Sequence, residues 1–248
     1  MNDILAKIIA VKKREVREKK QLVPVKMLEQ PDHFSAPCVS LTDYLTRNGR
    51  KGVIAEIKRR SPSKGVINNH INVENLSIGY MQAGAAALSV LTDNTFFGGS
   101  VQDLKIARRF NYCPILRKEF IIDEYQIYES KSIGADAILL IEKILSQKQI
   151  RQFTRLAQQM GMQVLLEIDQ QNCLFLQEST AVDVVGVNNR NLVDFSENLE
   201  TSLKIAETLP PEMIKISESG IRSAEDAKRL AKAGFDGFLI GEYFMRER

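Results

Sequence analysis

The chain has 248 residues, with 34 Lys and Arg against 31 Asp and Glu and a formal charge of +3. That even balance argues against an extended basic surface for nucleic acid, and 44% hydrophobic content without Trp describes an ordinary globular chain rather than a disordered or collagen-like one. No apolar stretch approaches the roughly 18 residues that cross a bilayer, and charge enters the first segment too early for a secretion signal, so the expectation is a cytoplasmic protein with no membrane partner.

In chain order, Ile4, Leu5, Ile8 and Ile9 recur at helical spacing and predict an N-terminal helix, followed by a looser Pro-containing segment to about residue 47. Strands are then expected at Val53 to Ile57, Ala86 to Leu91, Pro114 to Arg117, Ala137 to Ile141, Val164 to Ile168, Asp183 to Val187, Ile214 to Ser217 and Gly237 to Ile240. Each is a short, continuous apolar run, the signature of a strand covered on both faces in a parallel sheet. Four follow a helix that ends in glycine, at Gly84, Gly134, Gly161 and Gly234, as the left-handed residue closing a helix requires. Helix starts are legible at Asp123 with Gln126, Ser146 with Gln149, and Ser223 ahead of Glu225 and Asp226. After Ser146, the residues Ile150, Phe153, Leu156, Ala157 and Met160 share one helical side.

Eight strand–helix units without an obvious antiparallel hairpin close more naturally into a barrel than into an open sheet, which has edges to protect. The predicted fold is α/β, a (β/α)8 TIM barrel, with residues 1–248 as one domain and 1–47 as an N-terminal helical extension. An open doubly wound sheet is the alternative. Only Glu242 to Arg248 follow the last strand, so the final helix is short or missing and that strand is under-covered unless the extension packs nearby. Cys38, Cys113 and Cys173 are widely spaced, with only His33 and His70 as imidazole partners, and read as reduced thiols rather than a metal site.

Barrel active sites lie at the C-terminal mouth, so polar residues ending apolar strands are the candidates. Alternation puts Glu56 and Lys58 on one side of the first strand, facing inward if Ile57 faces out. Lys118 ends the third strand, Glu167 the fifth, Asn188, Asn189 and Arg190 the sixth, and Glu218 the seventh. Unpaired buried charges cost several kcal/mol, so such a set is expected to pair and to act. Glu119 is the weaker acid candidate, because alternation turns it away from Lys118. Ser219-Gly220 after strand seven and Gly241 after strand eight occupy the places where barrels seat phosphate on backbone N–H groups. Ser61 to Gly65 reads equally as a surface turn or a mobile lid. Phe97 after strand two, Phe120 after strand three, Leu139 and Ile141 on strand four and Leu192 after strand six suggest an aromatic-sized slot, although Leu139 and Ile141 also suit barrel core.

Ala55-Glu56-Ile57-Lys58-Arg59-Arg60-Ser61-Pro62-Ser63-Lys64-Gly65 resembles the signature of the indole-3-glycerol phosphate synthase family. Further segments follow in family order: Leu91-Thr92-Asp93 with Phe97-Gly98-Gly99-Ser100, Leu116-Arg117-Lys118-Glu119-Phe120, Leu166-Glu167-Ile168, Gly186-Val187-Asn188-Asn189-Arg190, Ser217-Glu218-Ser219-Gly220-Ile221 and Leu239-Ile240-Gly241-Glu242. The resemblance implies ring closure, decarboxylation and dehydration of 1-(2-carboxyphenylamino)-1-deoxyribulose 5-phosphate, with no cofactor or metal. It makes Lys118 the general acid on the ketone, Glu56 the group that holds its ammonium, and Lys58 the cation for the substrate carboxylate and the departing hydroxide. Glu167 becomes the base for dehydration, Asn188 a contact to sugar hydroxyls, Arg190 and Glu218 supports of the network, and Ser219 a contact to substrate oxygens. Phosphate contacts fall on Ser61, Gly220, Gly241 and the backbone of Glu242, whose carboxylate would then have to point away. The partner implied is a small phosphosugar, and the chain is expected to act as a monomer or in weak association with other enzymes of the tryptophan pathway. A Schiff-base aldolase using a lysine nucleophile, and a phosphate-ligand sensor or scaffold barrel, remain the competing readings.

Overall fold

The structure, a computed structural model, describes residues 3–47, 52–169, 182–191 and 195–246. Its centre is a closed barrel of eight parallel strands: β1 (Gly52–Ile57), β2 (Ala87–Leu91), β3 (Ile115–Lys118), β4 (Ala137–Ile141), β5 (Gln163–Ile168), β6 (Val184–Asn188), β7 (Lys215–Glu218) and β8 (Gly237–Ile240). β8 pairs back onto β1 with Gly52 opposite Gly237. Every expected strand is present, with bounds shifted by a residue at most. The one small hairpin, Arg60–Ser61 with Gly65–Val66, lies outside the barrel.

Strand alternation sorts the side chains into two cores. Ile54, Leu116, Leu139, Ile141, Leu165, Ile216 and Leu239 face inward in one buried cluster. Ile138, Leu140, Val164, Leu166, Val185 and Val187 face outward under the helices. The same parity continues upward to the charged residues at the strand ends, which fixes the direction in which they point.

The helices are α1 (Asp3–Leu22), α2 (Val25–Leu28), α3 (Asp32–Ser35), α4 (Leu41–Thr46), α5 (Val73–Gln82), α6 (Val101–Phe110), α7 (Glu124–Ser132), α8 (Gln147–Gln159), α9 (Glu200–Ala206), α10 (Ala224–Lys232) and α11 (Glu242–Arg246). Ser146–Gln149 and Ser223–Asp226 form reciprocal capping boxes, each satisfying amide donors that a helix start leaves orphaned. Asp123 caps α7 from its own carboxylate, but Gln126 instead binds Ile122 N and Phe120 O, pinning the turn before the helix. On α8, Ile150, Phe153 and Ala157 are buried and Leu156 and Met160 pack beside them.

The extension reaches the last strand from below, through α4. α1, α2 and α3 pack on α7, while Leu41 and Leu45 of α4 join the inward-facing cluster with no exposed surface and close the barrel's lower end. A Cβ at Gly52 would sit 2.9 Å from the Leu45 Cα and one at Gly237 2.9 Å from its Cδ2, so the plug seats only against glycine at these two positions. Phe238 on β8 is buried with Leu230 of α10 and with Phe235, and α11 sets Phe244 against Tyr80 of α5 at 5.8 Å between ring centroids. The short final helix packs against β1, the strand that pairs with β8. Among the described residues no helix is long and apolar enough to cross a membrane. Cys38 and Cys113 carry free thiols, and Cys173 lies outside the described residues.

Candidate active site

At the C-terminal end of the barrel a cavity of about 500 Å³ opens. The side chains of Glu56, Lys58, Lys118, Glu167, Asn188, Arg190 and Glu218 line it, together with Ser219, Gly220, Gly241 and Glu242. Residues far apart in sequence therefore meet because each ends an inward-facing row. Lys118 donates to Glu218 and, at 3.2 Å, to Glu167. Lys58 donates to Glu56 at 2.6 Å. The expected Glu56–Lys118 pair is thus replaced: Glu56 and Lys58 share one strand face two residues apart, whereas Lys118 lies toward β5 and β7 and takes its partners there.

Burial raises the cost of every charge in this cup, and the partners decide the outcome. For Glu56, burial pushes the carboxyl up, but the ammonium groups of Lys58 and Lys118 outweigh it and hold it below its ordinary range. Burial pulls Lys118 down, yet Glu218, Glu167 and Glu56 more than reverse this, so its ammonium is held protonated. Glu218 is pushed up to about 7, chiefly by burial and with repulsion from Glu167 and Glu56 opposing the attraction of Lys118. Its Oε1 is buried without a hydrogen-bond partner. Two glycines make room for these carboxylates: a Cβ at Gly186 would lie 2.2 Å from Glu218 Oε1, and one at Gly241 2.7 Å from Glu56 Oε1.

The opposite flank is built from backbone. Ser219 and Gly220 both adopt left-handed φ, 68° and 72°. Asn189 holds Ser219 in that strained form, donating to its carbonyl at 3.1 Å and to Ser217 Oγ at 2.9 Å, while its own Oδ1 accepts from Ser202 N. Asn188 accepts from Arg190 N at 2.9 Å. The Arg190 guanidinium binds Glu197, Ser63 Oγ at 2.6 Å and Glu242 Oε2 at 3.1 Å. Arg190 holds the Glu242 carboxylate at the rim, with Lys64 4.0 Å from its other oxygen. Ser61 is buried in the hairpin with its hydroxyl 3.3 Å from Ser63 and does not line the cavity. The neighbouring Ser63, by binding Arg190, connects this loop to the site instead.

The apolar side holds Leu91, Phe97, Phe120, Leu139 and Ile141, with the Phe97 and Phe120 rings 5.9 Å apart and tilted by 41°. Leu139 and Ile141 serve both readings, belonging to the inward cluster and to the cavity wall. Leu192 lies outside the described residues. Glu119 reaches the lining, but its carboxylate is engaged with Thr92 Oγ1 at 2.8 Å and with the Phe120 amide, away from Lys118.

Sequence reasoning missed Lys64, Glu197 and Arg222, all of which line the cavity. Glu197 bridges Arg190 and Arg222, the latter at 2.9 Å. Although burial opposes it, these two guanidiniums hold the Glu197 carboxyl below its usual range. It sits in the irregular stretch after β6, where no periodicity points to it.

Comparison with known proteins places this architecture among relatives. The family model described as indole-3-glycerol phosphate synthase matches residues 5–248. Indole-3-glycerol phosphate synthase of Bacteroides thetaiotaomicron is 45% identical over 99% of this chain and 94% of its own. That of Carboxydothermus hydrogenoformans is 41% identical over 98% of this chain and 94% of its own. Among solved structures, an N-acetylmannosamine-6-phosphate 2-epimerase from Clostridium perfringens aligns with a TM-score of 0.62 at 15% identity, covering 84% of this chain and 91% of that one. A tryptophan synthase alpha-subunit from Pyrococcus furiosus aligns with a TM-score of 0.56 at 14% identity, covering 79% and 88%. At such identities the two structures speak for the barrel fold alone.

Proposed function

The chain belongs to the indole-3-glycerol phosphate synthase family of carboxy-lyases in tryptophan biosynthesis, and from that premise we propose how its charged mouth closes, decarboxylates and dehydrates 1-(2-carboxyphenylamino)-1-deoxyribulose 5-phosphate. The observation that carries this reading is the Lys118 ammonium, gripped by Glu167 and Glu218 at the floor of a cavity with an aromatic wall on one side and a strained glycine turn on the other.

The substrate phosphate lies on the backbone N–H groups of Gly220 and the Gly241–Glu242 segment, which glycine leaves open to close approach. The anthranilate-type ring enters between Phe97 and Phe120, against Leu139 and Ile141. This leaves the ketone over Lys118, which delivers a proton to the carbonyl oxygen as the ring carbon attacks. Lys58, oriented by Glu56, pairs with the substrate carboxylate until carbon dioxide departs and the ring regains its aromaticity. Dehydration follows: Glu167 removes a proton while the hydroxyl leaves with help from a lysine ammonium, and the indole forms. Asn188 and Ser219 hold sugar oxygens, while Arg190 and Glu218 keep the cations and the rim in place. No cofactor enters these steps.

A Schiff-base aldolase needs a lysine that loses its proton easily. The carboxylates around Lys118 drive its pKa the other way, which keeps the ammonium charged and disfavours a nucleophilic amine. All the groups named come from one chain, so the reading treats residues 1–248 as one catalytic unit, monomeric or weakly associated, working in the cytoplasm.

The test is to add the carboxyphenylamino substrate to the purified protein and follow indole fluorescence and carbon dioxide together. The expected result is one carbon dioxide per indole formed. Folded protein that yields neither, or borohydride trapping of a keto-sugar phosphate on Lys58 or Lys118, rejects the assignment.

A further inference from the structure

We propose that Lys12, on the N-terminal helix and outside the cavity, is a positioning residue that sets the aromatic wall of the site through Asp93 and Glu119. The inference deepens the functional reading above and takes from it the identity of the ring that the wall receives.

Lys12 is 3% exposed, yet lies among three carboxylates: Glu15 and Asp93 at 2.7 Å each and Glu119 at 3.2 Å. It does not line the cavity. Asp93 turns its other oxygen to the loop that carries the first ring, accepting from Phe96 N at 2.6 Å and Phe97 N at 3.0 Å, and its carbonyl takes Gly99 N at 2.8 Å. Glu119 accepts from Phe120 N at 2.8 Å. One ammonium therefore joins the two carboxylates that fix the backbones of Phe97 and Phe120. The same loop is held from its other side by Arg60, which donates to the carbonyls of Asn94 and Thr95.

The charge at Lys12 is what makes the arrangement possible. Asp93 is fully buried and Glu119 nearly so, and without Lys12 only Arg117, 3.9 Å from Glu119, is left among the described residues to offset two buried carboxylates. Burial pulls the Lys12 pKa down, but Glu119 and Asp93 more than offset it, so the ammonium persists. Without it, the two carboxylates lose the contact that holds them together, and the amides they bind shift with them. Misplacement of about 1 Å at such a wall weakens substrate capture substantially.

The experiment compares wild type with Lys12→Met, Lys12→Arg, Phe97→Ala and the combined Lys12→Met/Phe97→Ala variant. Steady-state kinetics are run well below each melting temperature. Amide hydrogen exchange over residues 93–99 and 118–121 is followed without substrate. Expected for Lys12→Met is a KM raised about 10-fold with kcat within about 3-fold of wild type, and faster exchange confined to those two segments. Lys12→Arg is expected to restore most of the KM. The combined variant should raise KM by less than the product of the two single effects, because both changes act in part through the Phe97 ring. If Lys12→Met does not fold, Lys12→Gln, which keeps one donor for Asp93, is read in the same way. A lower melting temperature with KM and local exchange unchanged, or KM effects that multiply in the combined variant, overturns the proposal. Wild-type protein without turnover, but with the local exchange change in Lys12→Met, faults the functional reading and leaves the positioning role standing.

Discussion

Lys118→Ala is expected to lower kcat by about 10³-fold or more, with binding of a non-reactive substrate analogue weakened less than about 10-fold. The loss has two sources. The proton donor to the ketone disappears, and the substitution also strips Glu167 and Glu218 of the ammonium that holds both. Burial and repulsion from Glu167 then act on Glu218 without that ammonium to oppose them, so its pKa, already pushed up to about 7, moves higher. In the proposed mechanism this disturbs the dehydration base along with the ring-closure acid. Turnover by indole fluorescence and analogue binding by calorimetry separate the effects, with circular dichroism verifying the fold. An unchanged kcat would remove Lys118 from the mechanism.

The second large effect concerns stability, behind the barrel wall. Arg117 points outward from β3 with no exposed surface and donates to Glu129 at 2.6 Å, to Thr92 and Ser130 hydroxyls, and to the Gln126 carbonyl. Glu129→Ala leaves that guanidinium mostly among neutral partners, and removal of one member of a buried pair costs about 3–5 kcal/mol. Burial pushes Glu129 up, but Arg117 and Lys19 hold it at about 2 against an ordinary value of 4.5. A carboxyl depressed on folding stabilises fully above its unfolded pKa and loses that contribution as pH falls through its folded pKa. Urea unfolding should therefore show a wide gap between wild type and Glu129→Ala at pH 7 that narrows below about 4.5 and closes toward 2. The Arg117→Met/Glu129→Ala pair should recover much of the loss, since no buried charge is left alone. A gap that does not change with pH would contradict this account.

Much of the barrel was legible because its strands obey one rule: a short run apolar on both faces, ending in polar residues. Parity then determined which of those residues face inward. Glu56 and Lys58 are separated by Ile57, which does pack outward, and Lys118 and Glu119 point to different partners, as alternation requires. Pairing across the mouth was not legible. Which carboxylate reaches Lys118 depends on barrel curvature and on room made by Gly186 and Gly241, neither of which a one-dimensional pattern carries. The Arg190–Glu197–Arg222 chain lies in irregular backbone without a period to follow. No sequence pattern singles out Lys12, and only the packing of α1 over Asp93 and Glu119 gives it a role. Ser61 was placed by its motif, whereas the hairpin turns it inward and leaves Ser63 to touch Arg190.

In the proposed mechanism one cup, assembled from strands β1, β3, β5, β6 and β7, presents Lys118 to the substrate ketone. A structure of the wild-type enzyme with an analogue whose ketone is reduced to an alcohol tests it directly. The expected result is the alcohol oxygen at about 3 Å from Lys118 Nζ, the ring between Phe97 and Phe120, and the phosphate on Gly220 and Gly241. An alcohol oxygen turned to Lys58 with Lys118 still locked between Glu167 and Glu218, or an analogue bound away from the barrel mouth, would contradict it.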